Sequence, residues 1–152
     1  MIELRGAEDL ARLSRVLKEA GEVDLQRQLS ATIRAAMEPV KEALRQSADA
    51  KLPKHGGLAA GVAKSKMRVT RRNTGRSIGV RLRVDNQDNI RRMDKGSIRH
   101  PVFGVWRANV APQPIPSGWF TEPTEAARPA FAAAVDQGMN DIVRQINART
   151  GS

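Results

Sequence analysis

Residues 67–84 read MRVTRRNTGRSIGVRLRV, and their period decides the fold class. Met67 and Val69 alternate with Lys66, Arg68 and Thr70. Beyond an Asn-Thr-Gly turn at 73–75, Ile78, Val80, Leu82 and Val84 alternate with Gly79, Arg81 and Arg83. A period of two places successive side chains on opposite faces of a strand. The segment therefore predicts two half-buried, antiparallel neighbouring strands, apolar on one face and arginine-bearing on the other. Asp85-Asn86 ends the second strand.

On the N-terminal side the period changes. Ile2 and Leu4 predict a short strand that stops at Gly6. Leu10, Leu13, Val16, Leu17 and Ala20 recur at helical spacing and predict a helix over 7–20, ended by Gly21. The longest helix follows, with one stripe of Leu25, Leu29, Ile33, Ala36, Met37, Val40, Leu44 and Ala48. Asp24 is placed to cap its start, and Pro39 predicts a kink near 35–39. Leu52-Pro53 and Gly56-Gly57 stop it.

On the C-terminal side, 87–95 predicts a helical turn or ordered loop. Residues 96–120, GSIRHPVFGVWRANVAPQPIPSGWF, read as extended and loop-like, with room for a strand near 102–110. The prolines at 112, 114 and 116 confine any strand there to an edge. Phe131, Val135, Met139, Ile142 and Ile146 then predict a C-terminal helix with Pro129 in its first turn. The expected architecture is α+β in a single domain over 1–152. It comprises helices over 1–52, sheet and aromatic loop over 53–120, and a C-terminal helix over 121–148. A small, mostly antiparallel sheet is flanked by a long N-terminal helix, packed on its apolar face, and a C-terminal helix.

Charge is unevenly placed. Of the net +10, residues 1–50 carry −1, residues 51–107 carry +12 and residues 108–152 carry −1. An excess confined to the middle third points to a polyanion or an acidic protein surface as neighbour, with a solvated charged face as the plain alternative. The candidate basic face comprises Lys64, Lys66, Arg68, Arg71, Arg72, Arg76, Arg81 and Arg83. Residues 58–99 contain no aromatic, so a nucleic-acid partner would be held through its backbone without sequence preference. There is no cysteine, which excludes disulfides and thiolate metal sites and fits a reducing compartment. No apolar run reaches membrane-spanning length, and MIELRGAEDL lacks the layout of a signal peptide, so no membrane association is expected.

Catalytic material is sparse. His55 and His100 have no metal-ligand spacing. His55 sits in a Lys- and Gly-rich turn and reads as exposed. His100 reads as a packed loop histidine rather than a general base. Asp85, Asp88 and Asp94 lie among Arg91, Arg92 and Lys95, where solvated ion pairs account for them. No phosphate-cradling glycine loop is present. The expectation is a protein that is not an enzyme, with no metal and no cofactor. A small metal-dependent nuclease using Asp85 or Asp88 is a distant third reading.

The segment 96–120 concentrates both tryptophans and two of the three phenylalanines. Its boxes RHPVFG (99–104) and PSGWF (116–120), with Trp106 between them, resemble the family of small siphophage head–tail joining or tail-completion proteins, also described as minor tail or neck proteins. Members of that family show an RHPVFG box, a Trp shortly after, and a Pro-x-Gly-Trp-Phe or Pro-Gly-Phe-Phe box opening a C-terminal helix. The order around the boxes is similar too: short strand and helix, a long helix ending near Gly56-Gly57-Leu58, then basic strands. The resemblance covers nearly the whole chain, and the two boxes together are its specific part. Residues 110–115, VAPQPI, depart from the pattern in being richer in proline.

The resemblance implies a non-enzymatic virion protein made in the host cytoplasm. It would form a homo-oligomeric ring at the head–tail junction, join capsid to tail, contact other connector and tail proteins, and line part of the conduit for DNA ejection. A ring subunit needs two heterologous, mutually complementary patches. Phe103, Trp106, Trp119 and Phe120, with His100, are the candidate oligomer or partner interface, because aromatics dominate interface hot spots. Within that set Trp106 and Trp119 are expected at the contact, and Phe103 and Phe120 nearer the subunit's own core. For the basic face, passing DNA and an acidic neighbouring ring are both open. The sliding of DNA through a conduit favours the protein partner. The alternative for the whole chain is a sequence-independent nucleic-acid-binding module.

Overall fold

The computed structural model describes residues 7–73, 78–85, 90–102 and 105–151, with side chains described except at 7, 71–73, 78–79, 100–102 and 105–110. The expected strand at Ile2–Leu4 lies outside the described residues. The fold is α+β: α1 (Ala7–Glu19), α2 (Val23–Lys51), a 3-10 turn (His55–Gly57), α3 (Leu58–Lys64), β1 (Met67–Asn73), β2 (Ile78–Val84), α4 (Ile90–Asp94), β3 (Ser97–Val102), β4 (Val105–Pro114) and α5 (Thr121–Thr150). The strands form two separate two-stranded antiparallel sheets, β1–β2 and β3–β4, rather than the single sheet expected.

The chain divides into two compact units. The first comprises the described parts of Met1–Val40, Arg68–Arg83 and Ala127–Ser152. Here α1 ends as its sequence predicts. Glu22 N–H donates to Leu17 O at 2.9 Å and Gly21 N–H to Lys18 O at 3.2 Å, with Gly21 at φ 69°. This is the paired bonding of a Schellman cap. Gln26 Nε2 donates to Leu17 O at 3.2 Å, tying α2 back to α1. Asp24 lies inside the first turn of α2 instead of capping it, where its charge suits the positive helix end.

The α2 stripe Leu25, Leu29, Ile33, Met37 and Val40 is fully buried, as is the α5 stripe Phe131, Val135 and Ile142. Burying a Leu, Ile or Phe side chain contributes about 1.5–3 kcal/mol, so these two stripes are the main source of this unit's cohesion. The helices meet closely: a Cβ on Gly138 of α5 would overlap the Thr32 side chain of α2. A small cavity lined by Ser30, Ile33, Arg34 and Val69 lies where α2 meets β1, so α2 packs on the apolar side of the ribbon as expected. Along β2, Val80 is buried while Arg81 and Arg83 are exposed. On β1, Arg68 and Thr70 are exposed. Pro39 lies inside α2 and Pro129 inside α5, so Pro129 is not in a first turn: α5 begins eight residues earlier.

The second unit comprises Lys41–Met67 and the described parts of Val84–Ala126. Its core cluster is Ala48, Leu52, Ala59, Val62, Met93 and Trp119, with Leu58, Ile90, Ile98, Ile115 and Phe120 packed against it. Helix α3, absent from the sequence expectation, supplies Ala59 and Val62. The stretch expected to be mostly loop is a regular hairpin. β3 pairs with β4 from Ser97↔Pro114 to Pro101↔Val110, with an irregularity at Pro101/Val102. Ile115 N–H donates to Gly96 O at 2.9 Å, which fixes the parity of the ladder: even-numbered β3 residues exchange hydrogen bonds and odd-numbered ones do not. Pro114 opposite Ser97, Pro112 opposite Arg99, and Pro101 opposite Val110 all fall on the non-bonded parity. Three prolines thus enter a regular hairpin without removing a single ladder bond.

Candidate functional site

Two features stand out: the fastening at 94–122, built around the PSGWF box, and the arginine face of β1–β2.

At the first, the chain leaves β4 and must enter a helix of thirty residues. A helix start exposes backbone N–H groups that its own turns cannot satisfy. Here the partner comes from far away in sequence. Asp94, the last residue of α4, accepts hydrogen bonds from Phe120 N–H and Thr121 N–H, each at 2.9 Å, and from the Thr121 hydroxyl. Its backbone O accepts from Gly118 N–H at 2.8 Å. Lys51, at the end of α2, donates to Ser117 O at 3.1 Å and pairs with Glu122. Gly118 sits at φ 78°, and a Cβ there would run into the Glu122 side chain, so only glycine turns this corner without strain.

The Asp94 carboxyl is held below its ordinary value. Partial burial acts to raise it, but the Thr121 hydroxyl, the Thr121 and Phe120 N–H groups and the Lys51 charge together outweigh that. Asp94 is therefore a helix cap and not one member of a solvated ion-pair cluster with Arg91, Arg92 and Lys95. Asp88 lies outside the described residues. His55 is exposed in its 3-10 turn.

Trp119 corrects the sequence expectation. It is 0% exposed within its own unit, packed with Ala48, Leu52, Ala59, Val62 and Met93, and is a core residue rather than an interface anchor. The reason is that the turn at Gly118 and the Asp94 cap aim the indole inward, and α3 supplies the small residues that receive it. Its ring meets Phe120 edge-on, with centroids 5.6 Å apart and planes at 74°. Phe120 is half-buried against the same cluster, nearer the core as expected. The Trp119 indole N–H is buried and has no hydrogen-bond partner among the described residues. Phe103 lies outside the described residues. His100 and Trp106 are described only as backbone, in β3 and β4.

The second feature joins part of the expected basic face. Arg68, Arg81 and Arg83 project from the exposed side of β1–β2, with Thr70 Oγ1 donating to Arg81 O at 3.4 Å across the strands. Lys64 ends α3 and Lys66 precedes β1, both exposed in the other unit. Arg71 and Arg72 are described only as backbone of β1, and Arg76 lies outside the described residues.

The sequence expectation missed one surface. Val16, one of the apolar positions whose spacing predicts α1, is exposed, as is Val143 of α5. With Leu13, Met139 and Ile146 they line a cleft of about 730 Å³ between α1 and α5. Helical spacing alone does not separate this flank of the stripe from the core. Among the described residues no three His, Asp or Glu side chains converge in a way that would hold a metal ion. No described helix is long and apolar enough to cross a membrane.

No family model, curated protein or solved structure matches the chain.

Proposed function

We propose that this chain is a structural protein of a siphophage virion, a subunit of the head–tail joining or tail-completion ring, acting by assembly and not by catalysis. The resemblance of its two boxes to that family motivates the reading. The observation that supports it best is how the boxes are used. The base of the β3–β4 hairpin, which carries the start of RHPVFG, is bonded through Gly96 to Ile115, and Asp94 bonds Gly118, Phe120 and Thr121 of the PSGWF turn and the helix behind it. Asp94 and Gly96, just ahead of the first box, thus fasten the base of the hairpin to the second box and to the start of the long helix. Such a fastening suits an element that docks on neighbours, because interface geometry is kept only when its support is rigid. In this reading the partners are further copies of the chain and the adjoining connector and tail proteins, and the site of action is the head–tail junction.

The test is genetic and structural. The gene is deleted from the phage or prophage genome that encodes it, and induced lysates are imaged by negative-stain microscopy. The expected result is DNA-filled heads and separate tails, with joined particles restored by supplying the chain in trans. Joined, infectious particles from the deletion strain overturn the reading.

A further inference from the structure

We propose that the outward face of the β1–β2 ribbon is a contact surface for the sugar–phosphate backbone of duplex DNA. It stands apart from the assembly reading, since it rests on the ribbon alone and is tested on the isolated chain.

Three observations carry it. First, the exposed side chains described on this face are Arg68, Thr70, Arg81 and Arg83, three cations and a hydroxyl. A protein–protein contact draws its energy from a desolvated apolar or aromatic centre with charges at the rim. No apolar side chain is described on this face: Val69, Val80 and Leu82 turn away, towards the α2 side. Phosphate contact, by contrast, requires only positioned cations and hydrogen-bond donors. Second, the shape fits. Two strands about 4.8 Å apart make a narrow ribbon, and the major groove of a duplex, about 12 Å wide, admits a two-stranded ribbon. With α2 behind it, the ribbon offers only its arginine side. Third, residues 58–99 lack aromatics, so bases of a single strand have nothing to stack on here.

The small number of contacts reconciles binding with movement. A contact through a small number of phosphates releases few counterions, which gives binding weak enough for DNA to slide along.

The experiment is fluorescence anisotropy of the purified full chain against a labelled mixed-sequence duplex, a single strand of the same length, and a poly-glutamate peptide, over a range of salt. The expected result is duplex binding that weakens with salt, with a log–log slope of about −0.9 for each phosphate contacted. Arg81→Glu with Arg83→Glu lowers duplex affinity at least tenfold. Arg15→Glu with Lys18→Glu on α1, the same change in charge, lowers it less than threefold. Arg81→Lys with Arg83→Lys, which cannot disturb the charge pattern, retains binding and guards against a folding defect in the Glu variant. No duplex binding at low salt, equal loss in the α1 variant, tighter binding of poly-glutamate, or tighter binding of the single strand each overturns the proposal.

Discussion

Asp94 and Thr121, 27 positions apart, are joined by a backbone bond of 2.9 Å and by a bond between their side chains. The C-terminal helix thus begins where a residue of another helix receives its first amides. Replacing Asp94 with Ala leaves the Phe120 and Thr121 amides without their acceptor. A lost N-terminal cap costs about 0.5–2 kcal/mol, and the partial burial here favours the upper end. Urea denaturation at neutral pH checks it; an unchanged midpoint would show that solvent replaces Asp94 freely.

The same carboxylate makes stability depend on acid. Its folded value lies below the ordinary 3.8, because the Thr121 and Phe120 bonds and the Lys51 charge outweigh the burial that opposes them. The unfolded chain therefore binds the proton more readily, and the stabilisation is complete above the unfolded value. It is lost as pH falls through the folded value. The stability difference between wild type and Asp94→Asn is expected to be constant from neutral pH to about 5 and to shrink below about 4. A difference that grows on acidification contradicts the sign.

Trp119 separates core from contact surface. Trp119→Ala empties a fully buried site and is expected to cost about 3–5 kcal/mol, enough to threaten folding of the chain itself. Trp119→Phe leaves a smaller void and also removes the unpartnered indole N–H, whose burial costs about 1–3 kcal/mol, so it is expected to be much milder. Thermal melts of the two variants give the comparison. An Ala variant that melts like wild type but fails to assemble would return Trp119 to the interface.

Gly138 and Thr32 should be coupled. Glycine inside a helix normally costs about 0.5–1 kcal/mol against alanine. At 138, however, the added methyl meets Thr32 on α2. Gly138→Ala alone is expected to lose stability or gain none, while Gly138→Ala in a Thr32→Ala background gains. A double-mutant cycle measures the coupling, and additivity would mean that α2 and α5 separate without cost.

What was legible in the sequence followed the range of the forces involved. The stripes of α2 and α5 and the alternation of β2 are local periods, and Leu29, Ile33, Val80, Phe131 and Val135 are buried where they put them. The helix expected over 121–148 does begin at Thr121, but Pro129 was placed in a first turn because the residue that caps the true first turn, Asp94, lies in α4. Helix α3 escaped notice because seven Ala- and Gly-rich residues carry almost no periodic signal. Trp119 was assigned to a contact because its pocket is assembled from α2, α3 and α4, none of which adjoins it in sequence. The prolines of β4 confined its strand to an edge, as in a two-stranded ladder it is, but that the ladder is regular follows only from its parity.

That parity has a consequence for how the chain meets its neighbours. On the non-bonded pairs, amides point to the free edges of the hairpin, and there Pro101 on one side and Pro112 and Pro114 on the other have none to offer. A strand from another molecule approaching the β4 flank meets carbonyls at Pro112 and Pro114 without the matching donors, while on the β3 flank one donor in three is missing. Sheet extension is thereby weakened most along the β4 flank, where two outward positions in succession lack a donor, so the backbone itself discourages runaway strand-to-strand polymerisation there.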